Sequence, residues 1–336
     1  MILPGGLPRL LAAALLALGL AGCSTAFQPM GPSVEVARMT DAELVAPDGF
    51  RLPLRRWAPP EGMPVQGVIL ALHGYNDYSN AFDGAGRWFA GRGLVTYAYD
   101  QRGFGATRNA GIWAGADTMV ADLRMAADLL RARHPIGTPF YLLGESMGGA
   151  VIMAALAGPH PPRTDGAILV APAVWGFNSM GFLPRTALRL SYAAVPGWVV
   201  HPPKELNIQP SDNIEMLRAL GRDPLVIKGS RVDALYGLTE LMGRAMDACG
   251  RLRAPALMLY GRHEQVLPSG PVEKAMTALR SSARNRVALY PKGYHMLLRD
   301  LSAEVVLADI AHWIGNPSEP LLSGADRTDP ALVAAR

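Results

Sequence analysis

Six short apolar runs carry almost no polar–apolar alternation, and nothing else in the chain constrains its fold as strongly. They are GVILALHG (67–74), GLVTYAYD (93–100), FYLLGES (140–146), GAILVAPA (166–173), PALMLYG (255–261) and RVALYPKGYH (286–295). Strands of a half-exposed sheet alternate, whereas strands of a parallel sheet covered on both faces read as continuous apolar runs. Between them, DTMVADLRMAADLLRARH (117–134) sets Met119, Leu123, Ala126, Ala127 and Leu130 on one helical face. Strand, helix and strand repeated in this way predict an α/β fold with a mostly parallel, doubly wound sheet. An antiparallel pair in ELVAPDGFRLPLRRWAPP (43–60), turning at Asp48-Gly49, opens the sheet.

With 336 residues, half of them apolar and 18% charged, the chain can bury a sizeable core. That length suits one large α/β domain with an insertion or two small domains. The rhythm breaks between about Pro172 and Gly250, where NSMGFLPRTALRLSYAAV and DALYGLTELMGRAMDA read as amphipathic helices. Residues 172–250 are therefore expected to form a helical cap between the sixth and seventh core strands, either as a lid or as a subdomain with its own core. The α/β core is expected over 39–171 and 251–315, with a disordered tail at 316–336. The net charge of +4 is modest, and the 32 Lys and Arg form no run longer than two, which argues against a nucleic-acid partner.

The first 23 residues, MILPGGLPRLLAAALLALGLAGC, read as a targeting segment. Arg9 supplies a positive start, and Leu10–Leu20 an apolar stretch too short to span a bilayer comfortably. LAGC (20–23) resembles a bacterial lipobox, which implies a signal peptide over 1–22, lipidation of Cys23 and a tether over 23–38. The expected location is then the cell envelope, on the periplasmic face of the outer membrane if the cell is Gram-negative. With Cys23 lipidated, Cys249 stands alone, no internal disulfide forms, and Cys249 reads as a buried thiol.

LLGESMGGAV (142–151) carries the strongest chemical signal: G-x-S-x-G as Gly144-Glu145-Ser146-Met147-Gly148, at the end of an apolar strand and before a helical run. A serine at such a turn is held in strained backbone angles that lift its hydroxyl clear of the sheet, so Ser146 is the expected nucleophile. The base should come last in chain order, which selects His295 just past the final strand; His134, His160, His201 and His312 read as structural or solvated. The acid should follow a strand between the two. In LYGRHEQVLP (259–268) Glu264 is the only carboxylate, so it is the expected acid and His263 its bystander neighbour. Backbone N–H groups of Met147 and of Tyr75, in the loop HGYNDYSN (73–80), are the expected oxyanion donors. His73, Asp100 and Arg102 are read as loop-bracing. No His/Cys/Asp cluster has metal-ligand spacing, YDQRGFGAT (99–107) lacks a dinucleotide fingerprint, and no cofactor is called for.

With these residues placed, the chain resembles the monoacylglycerol lipase/lysophospholipase group of α/β-hydrolases with a serine aminopeptidase-like lid. The resemblance runs from about Asp41 to Ile314 and rests on HGYNDYSN, YDQRGFGAT, GESMGGA, LYGLTELM, PALMLYGRHEQVLP and GYHMLLRD together. It implies the triad Ser146–Glu264–His295, oxyanion donors at Tyr75 and Met147, and a cap over an acyl pocket. The chain departs from the group at Glu264, where aspartate is usual. The expected activity is hydrolysis of lipid-like carboxylic esters, monoacylglycerol or lysophospholipid, through an acyl-enzyme. A small-ester carboxylesterase, an acyltransferase, a peptidase of the same fold, and a non-catalytic envelope lipoprotein stay open as alternatives.

Overall fold

A computed structural model describes residues 24–201 and 207–327. Cys23 and the leader lie outside the described residues, as do residues 328–336.

Chain order places strands β1 (Arg38–Met39), β2 (Glu43–Val45), β3 (Arg51–Trp57), β4 (Gly67–Leu72), β5 (Leu94–Tyr99), β6 (Phe140–Glu145), β7 (Gly166–Val170), β10 (Ala256–Gly261) and β11 (Arg286–Tyr290) in one nine-stranded sheet. The sheet order is β1-β2-β3-β5-β4-β6-β7-β10-β11. All pairs from β5 to β11 are parallel, while β1, β2 and β3 form an antiparallel edge. This is the mostly parallel, doubly wound α/β sheet expected from the apolar runs, and it fits the α/β-hydrolase fold that the resemblance implies. The two-residue β1 is not legible in the sequence. It makes the strands flanking the cap the seventh and eighth of nine rather than the sixth and seventh.

The missing alternation has a direct cause in the packing. Along β4, Val68, Leu70 and Leu72 point into one apolar layer, and Ile69 and Ala71 into the other. Helices α2 (Ala116–Arg133), α3 (Met147–Ala157), α6 (Val232–Ala248) and α7 (Ser269–Arg280) cover the first face; α1 (Asp83–Ala90) and α8 (Ala303–Gly315) cover the second. The predicted face of α2 is fully buried, from Met119 to Leu130.

Between β7 and β10 the cap contributes α4 (Phe182–Ala194), α5 (Ile214–Arg222), α6 and a small antiparallel strand pair, β8 (Val199–Val200) with β9 (Ser230–Arg231). Among the described residues it has no separate core. Neither α4 nor α5 contains a buried residue, while Leu241, Met242, Ala245 and Ala248 of α6 belong to the main core.

Two segments differ from the sequence expectation. Residues 24–38 are not a loose tether: Phe27 bridges to Trp113, Met30 N–H donates to Thr118 Oγ1 at 3.1 Å, and Ala26 N–H donates to Asp233 Oδ2 at 3.0 Å. The first part of the expected disordered tail is also docked. Leu321 and Ala325 are 3% and 4% exposed in the second apolar layer, and Arg286 pairs with Asp326 at 2.5 Å. Two apolar side chains, this ion pair and the hydrogen bonds that Ser323 donates to Asp309 hold a segment whose composition alone reads as solvated. Elsewhere the expected roles stand: Arg102 is buried between Asp48 and Asp122, with a 2.7 Å contact to each. Gln101 N–H donates to His73 Nε2 at 3.0 Å, so the ring proton sits on Nδ1 and donates to the Gly74 carbonyl at 2.8 Å. Cys249 is buried, and burial pushes its thiol up to about 12.

Candidate active site

Strand β6 ends at Glu145, and α3 starts at Met147, so Ser146 alone makes the turn. Its φ of 52° and ψ of −113° lie where only glycine is comfortable. Holding a serine there costs on the order of 1–3 kcal/mol, supplied by the surrounding packing. The flanking glycines are sterically required. A Cβ on Gly144 would stand 2.4 Å from the Gly149 nitrogen, and one on Gly148 2.1 Å from the Leu72 carbonyl oxygen. The spacing G-x-S-x-G thus permits α3 to return tightly over β6 and β4.

Glu264 and His295 meet, although 31 residues separate them: Glu264 Oε2 lies 2.6 Å from His295 Nδ1. A carboxylate only accepts, so Nδ1 carries the proton and Nε2 is left as the acceptor nitrogen. The other carboxylate oxygen, Oε1, accepts from Val266 N–H at 2.7 Å and Leu267 N–H at 3.0 Å. These two backbone donors fix the glutamate, so its extra methylene costs no orientation. His263 faces away, its ring stacked on Tyr294 at 5.0 Å. Burial lowers the His295 pKa, but the adjacent Glu264 charge, with a further pull from Glu145, outweighs it and leaves the imidazole above its ordinary 6.5.

Ser146 and His295 line one cavity of about 450 Å³, together with Gly74 and Tyr75 of the loop after β4. Met147 is the first residue of α3, where backbone N–H groups have no acceptor within the helix. Neither its N–H nor that of Tyr75 donates to a protein acceptor among the described residues. Much of the remaining wall is apolar and comes from the cap: Met180, Leu188, Leu235, Leu238 and Met242.

One part of the site is not legible in the sequence. Arg299, its side chain 12% exposed, donates to Asp77 Oδ2 at 2.7 Å and to Glu145 Oε2 at 2.8 Å. It thereby ties the loop after β4, the residue preceding Ser146 and the loop that carries His295. All three residues border the cavity, and Glu145 Oε1 has no protein partner among the described residues. Burial raises the Glu145 pKa. Asp77, Glu145 and Arg299 all fall inside the quoted motifs, but 222 and 154 residues separate Arg299 from its partners, and no local pattern links them. Among the described residues, no group of three or more His, Cys, Asp or Glu side chains could hold a metal ion.

The chain belongs to the serine aminopeptidase S33 family of hydrolases (Hydrolase_4), whose model matches residues 63–302 and so spans Ser146, Glu264 and His295. It is similar to the monoacylglycerol lipase of Mycolicibacterium smegmatis, 26% identical over 272 residues, 79% of this chain and 93% of that one. It is also similar to human monoglyceride lipase, 26% identical over 281 residues, 81% and 89% of the two chains. Among solved structures, a soluble variant of Saccharomyces cerevisiae monoglyceride lipase in complex with a substrate analog superposes with a TM-score of 0.68. It is 19% identical and covers 84% of this chain and 98% of that one.

Proposed function

We propose that this protein is a serine hydrolase that cleaves carboxylic esters of lipid-like substrates, monoacylglycerol or lysophospholipid, through an acyl-enzyme on Ser146. The observation that carries the reading is one cavity beside Ser146 with a mostly apolar lining and three charged side chains. Cap residues such as Leu188 and Leu238 offer an apolar wall for an acyl chain, and Asp77, Glu145 and Arg299 offer polar groups for the alcohol part. Burying each methylene of the chain contributes about 0.8 kcal/mol, which favours a long acyl chain over a short one.

In this mechanism Ser146 Oγ attacks the ester carbonyl and His295 Nε2 takes its proton. Glu264 holds the Nδ1–H tautomer and stabilises the imidazolium. The N–H groups of Met147 and Tyr75 receive the developing oxyanion, each worth on the order of a hundredfold or more in rate. The imidazolium then protonates the departing alcohol, and water activated by the same histidine releases the fatty acid. The similarity to monoacylglycerol and monoglyceride lipases supports the lipid-like substrate class. The leader and LAGC motif support a second part of the proposal, lipidation at Cys23 and residence at the envelope membrane, on the periplasmic face of the outer membrane in a Gram-negative cell.

Fatty-acid release tests the reading, with monoacylglycerol, lysophosphatidylcholine and a short-chain ester side by side and Ser146→Ala as blank. Preference for one of the two lipids is expected. Turnover of the short ester alone would replace the lipid reading with a small-ester carboxylesterase.

A further inference from the structure

The loop that carries Tyr75 is held from two sides. On the core side His73 Nδ1–H holds the Gly74 carbonyl, and Ser79 N–H donates to Asp100 Oδ1 at 3.0 Å. A trans peptide carries its C=O and N–H on opposite sides, so the Tyr75 N–H of that same peptide unit faces away from His73. On the other side the cap clasps the loop. Tyr78 Oη donates to Asp223 Oδ2 at 2.7 Å, Ile227 N–H to the Asn76 carbonyl at 2.9 Å, and Asn76 Nδ2 to Ser230 Oγ at 3.0 Å. Ser230 also interacts with the phenol of Tyr75, which burial pushes up to about 12 and so keeps neutral. Ser230 is itself fixed: it pairs with Val200 across the β8–β9 ladder, and the next residue, Arg231, pairs with buried Asp233 at 2.6 Å. Asn76 has a φ of 66°, in the left-handed region that asparagine tolerates better than most residues. That accounts for the backbone and not for the side chain. Glycine would make the same turn at no steric cost, but it would have no donor to offer Ser230.

We propose that the Asn76–Ser230 pair positions the Tyr75 N–H, so that the cap completes the oxyanion hole as well as walling the cavity. The proposal deepens, and rests on, the reading of Tyr75 as an oxyanion donor in a serine hydrolase. Ser230 is singled out among the cap contacts because its side chain meets both Tyr75 and Asn76, the donor residue and the one after it. The Tyr78–Asp223 bond acts further along the loop, and Ile227 contributes only its backbone. Asn76 and Ser230 do not border the cavity beside Ser146, so they touch no reacting atom and act as positioning residues. Their effect is specific to one stage of the reaction. The charge that needs the Tyr75 N–H exists only once the ester carbonyl has been attacked, so a displaced donor slows turnover and leaves substrate binding unchanged.

The test uses the full chain with Asn76→Gly, Ser230→Ala and the double variant. Glycine accepts a φ of 66° without strain, and Ser230→Ala removes a single oxygen, so the turn itself is kept in both; melting temperatures check the fold. Ester turnover is measured beside inhibition by an alkyl trifluoromethyl ketone. Ser146 Oγ adds to the ketone carbonyl, its proton passes to His295, and the carbonyl oxygen becomes an oxyanion in the same hole. The expected result in each single variant is a fall in kcat of about ten- to hundredfold at unchanged KM, with an equal rise in the inhibition constant of the ketone. The double variant should fall no further than either single one, because the two side chains act as a unit. Wild-type kcat in either single variant, a loss carried by KM, or losses that multiply in the double variant would each overturn the proposal. A wild type that neither turns over an ester nor binds the ketone would overturn the hydrolase reading itself, and the proposal with it. An active wild type with unaffected variants overturns the positioning role alone.

Discussion

Replacing Glu264 by glutamine keeps the shape of the side chain and inverts the histidine. Oε1 is held by the N–H groups of Val266 and Leu267 at 2.7 and 3.0 Å, and a glutamine oxygen satisfies both. Its NH2 group must then face His295 Nδ1 across the 2.6 Å contact. Two N–H donors repel at that distance, so the ring proton moves to Nε2, the nitrogen that must accept from Ser146. Loss of the correct tautomer and of the charge that stabilises the imidazolium is worth about 10⁴ in kcat, about 5 kcal/mol. The assay is ester turnover with a steady-state pH profile, alongside a thermal melt to show that Glu264→Gln stays folded. In the wild type the acid limb of kcat/KM should fall above pH 6.5, because Glu264 holds the His295 pKa up and activity needs the neutral ring. For stability the sign is opposite: a raised folded pKa contributes fully below the unfolded value of about 6.5 and is lost as pH rises through the folded one. A glutamine variant within tenfold of wild type, with the limb unmoved, would refute the reasoning and place the acid elsewhere.

Three further outcomes follow from close packing, ion pairing and burial. Gly148→Ala puts a Cβ 2.1 Å from the Leu72 carbonyl, so the elbow must open, and soluble yield and melting temperature should both drop sharply. Arg299→Met leaves Asp77 and Glu145 buried without their shared cation; about 3–5 kcal/mol of stability should be lost by denaturant titration, with kcat reduced in whatever folds. Leu321→Ala, in the docked part of the tail, should cost about 2–5 kcal/mol by the same titration without changing KM; no loss would mean that the segment does not pack.

The sheet was legible because burial on both faces leaves a local mark, the unbroken apolar run, and six of the nine strands carry it. The elbow was legible for a similar reason: its two glycines are demanded by contacts within a few residues and by one neighbouring strand. Glu264 and His295 were expected from chain order and from their places after strands, and the fold brings them within 2.6 Å of each other. What the sequence hides is pairing without periodicity. Phe27 finds Trp113 through a backbone bridge, Asp326 finds Arg286, and Arg299 gathers Asp77 and Glu145, each by one or two contacts between residues far apart in the chain. The amphipathic cap helices were recognisable, but their lack of a core of their own depends on where α6 lies against α3. Strand β1 is two residues long, too short for any pattern to register.

The central claim, that Ser146 forms an acyl-enzyme, is tested most directly by the intact mass of the folded chain after exposure to a fluorophosphonate. The account predicts one adduct per chain, on the peptide containing Ser146, and none in Ser146→Ala. An unlabelled wild type, or an adduct that persists in the alanine variant, would contradict it.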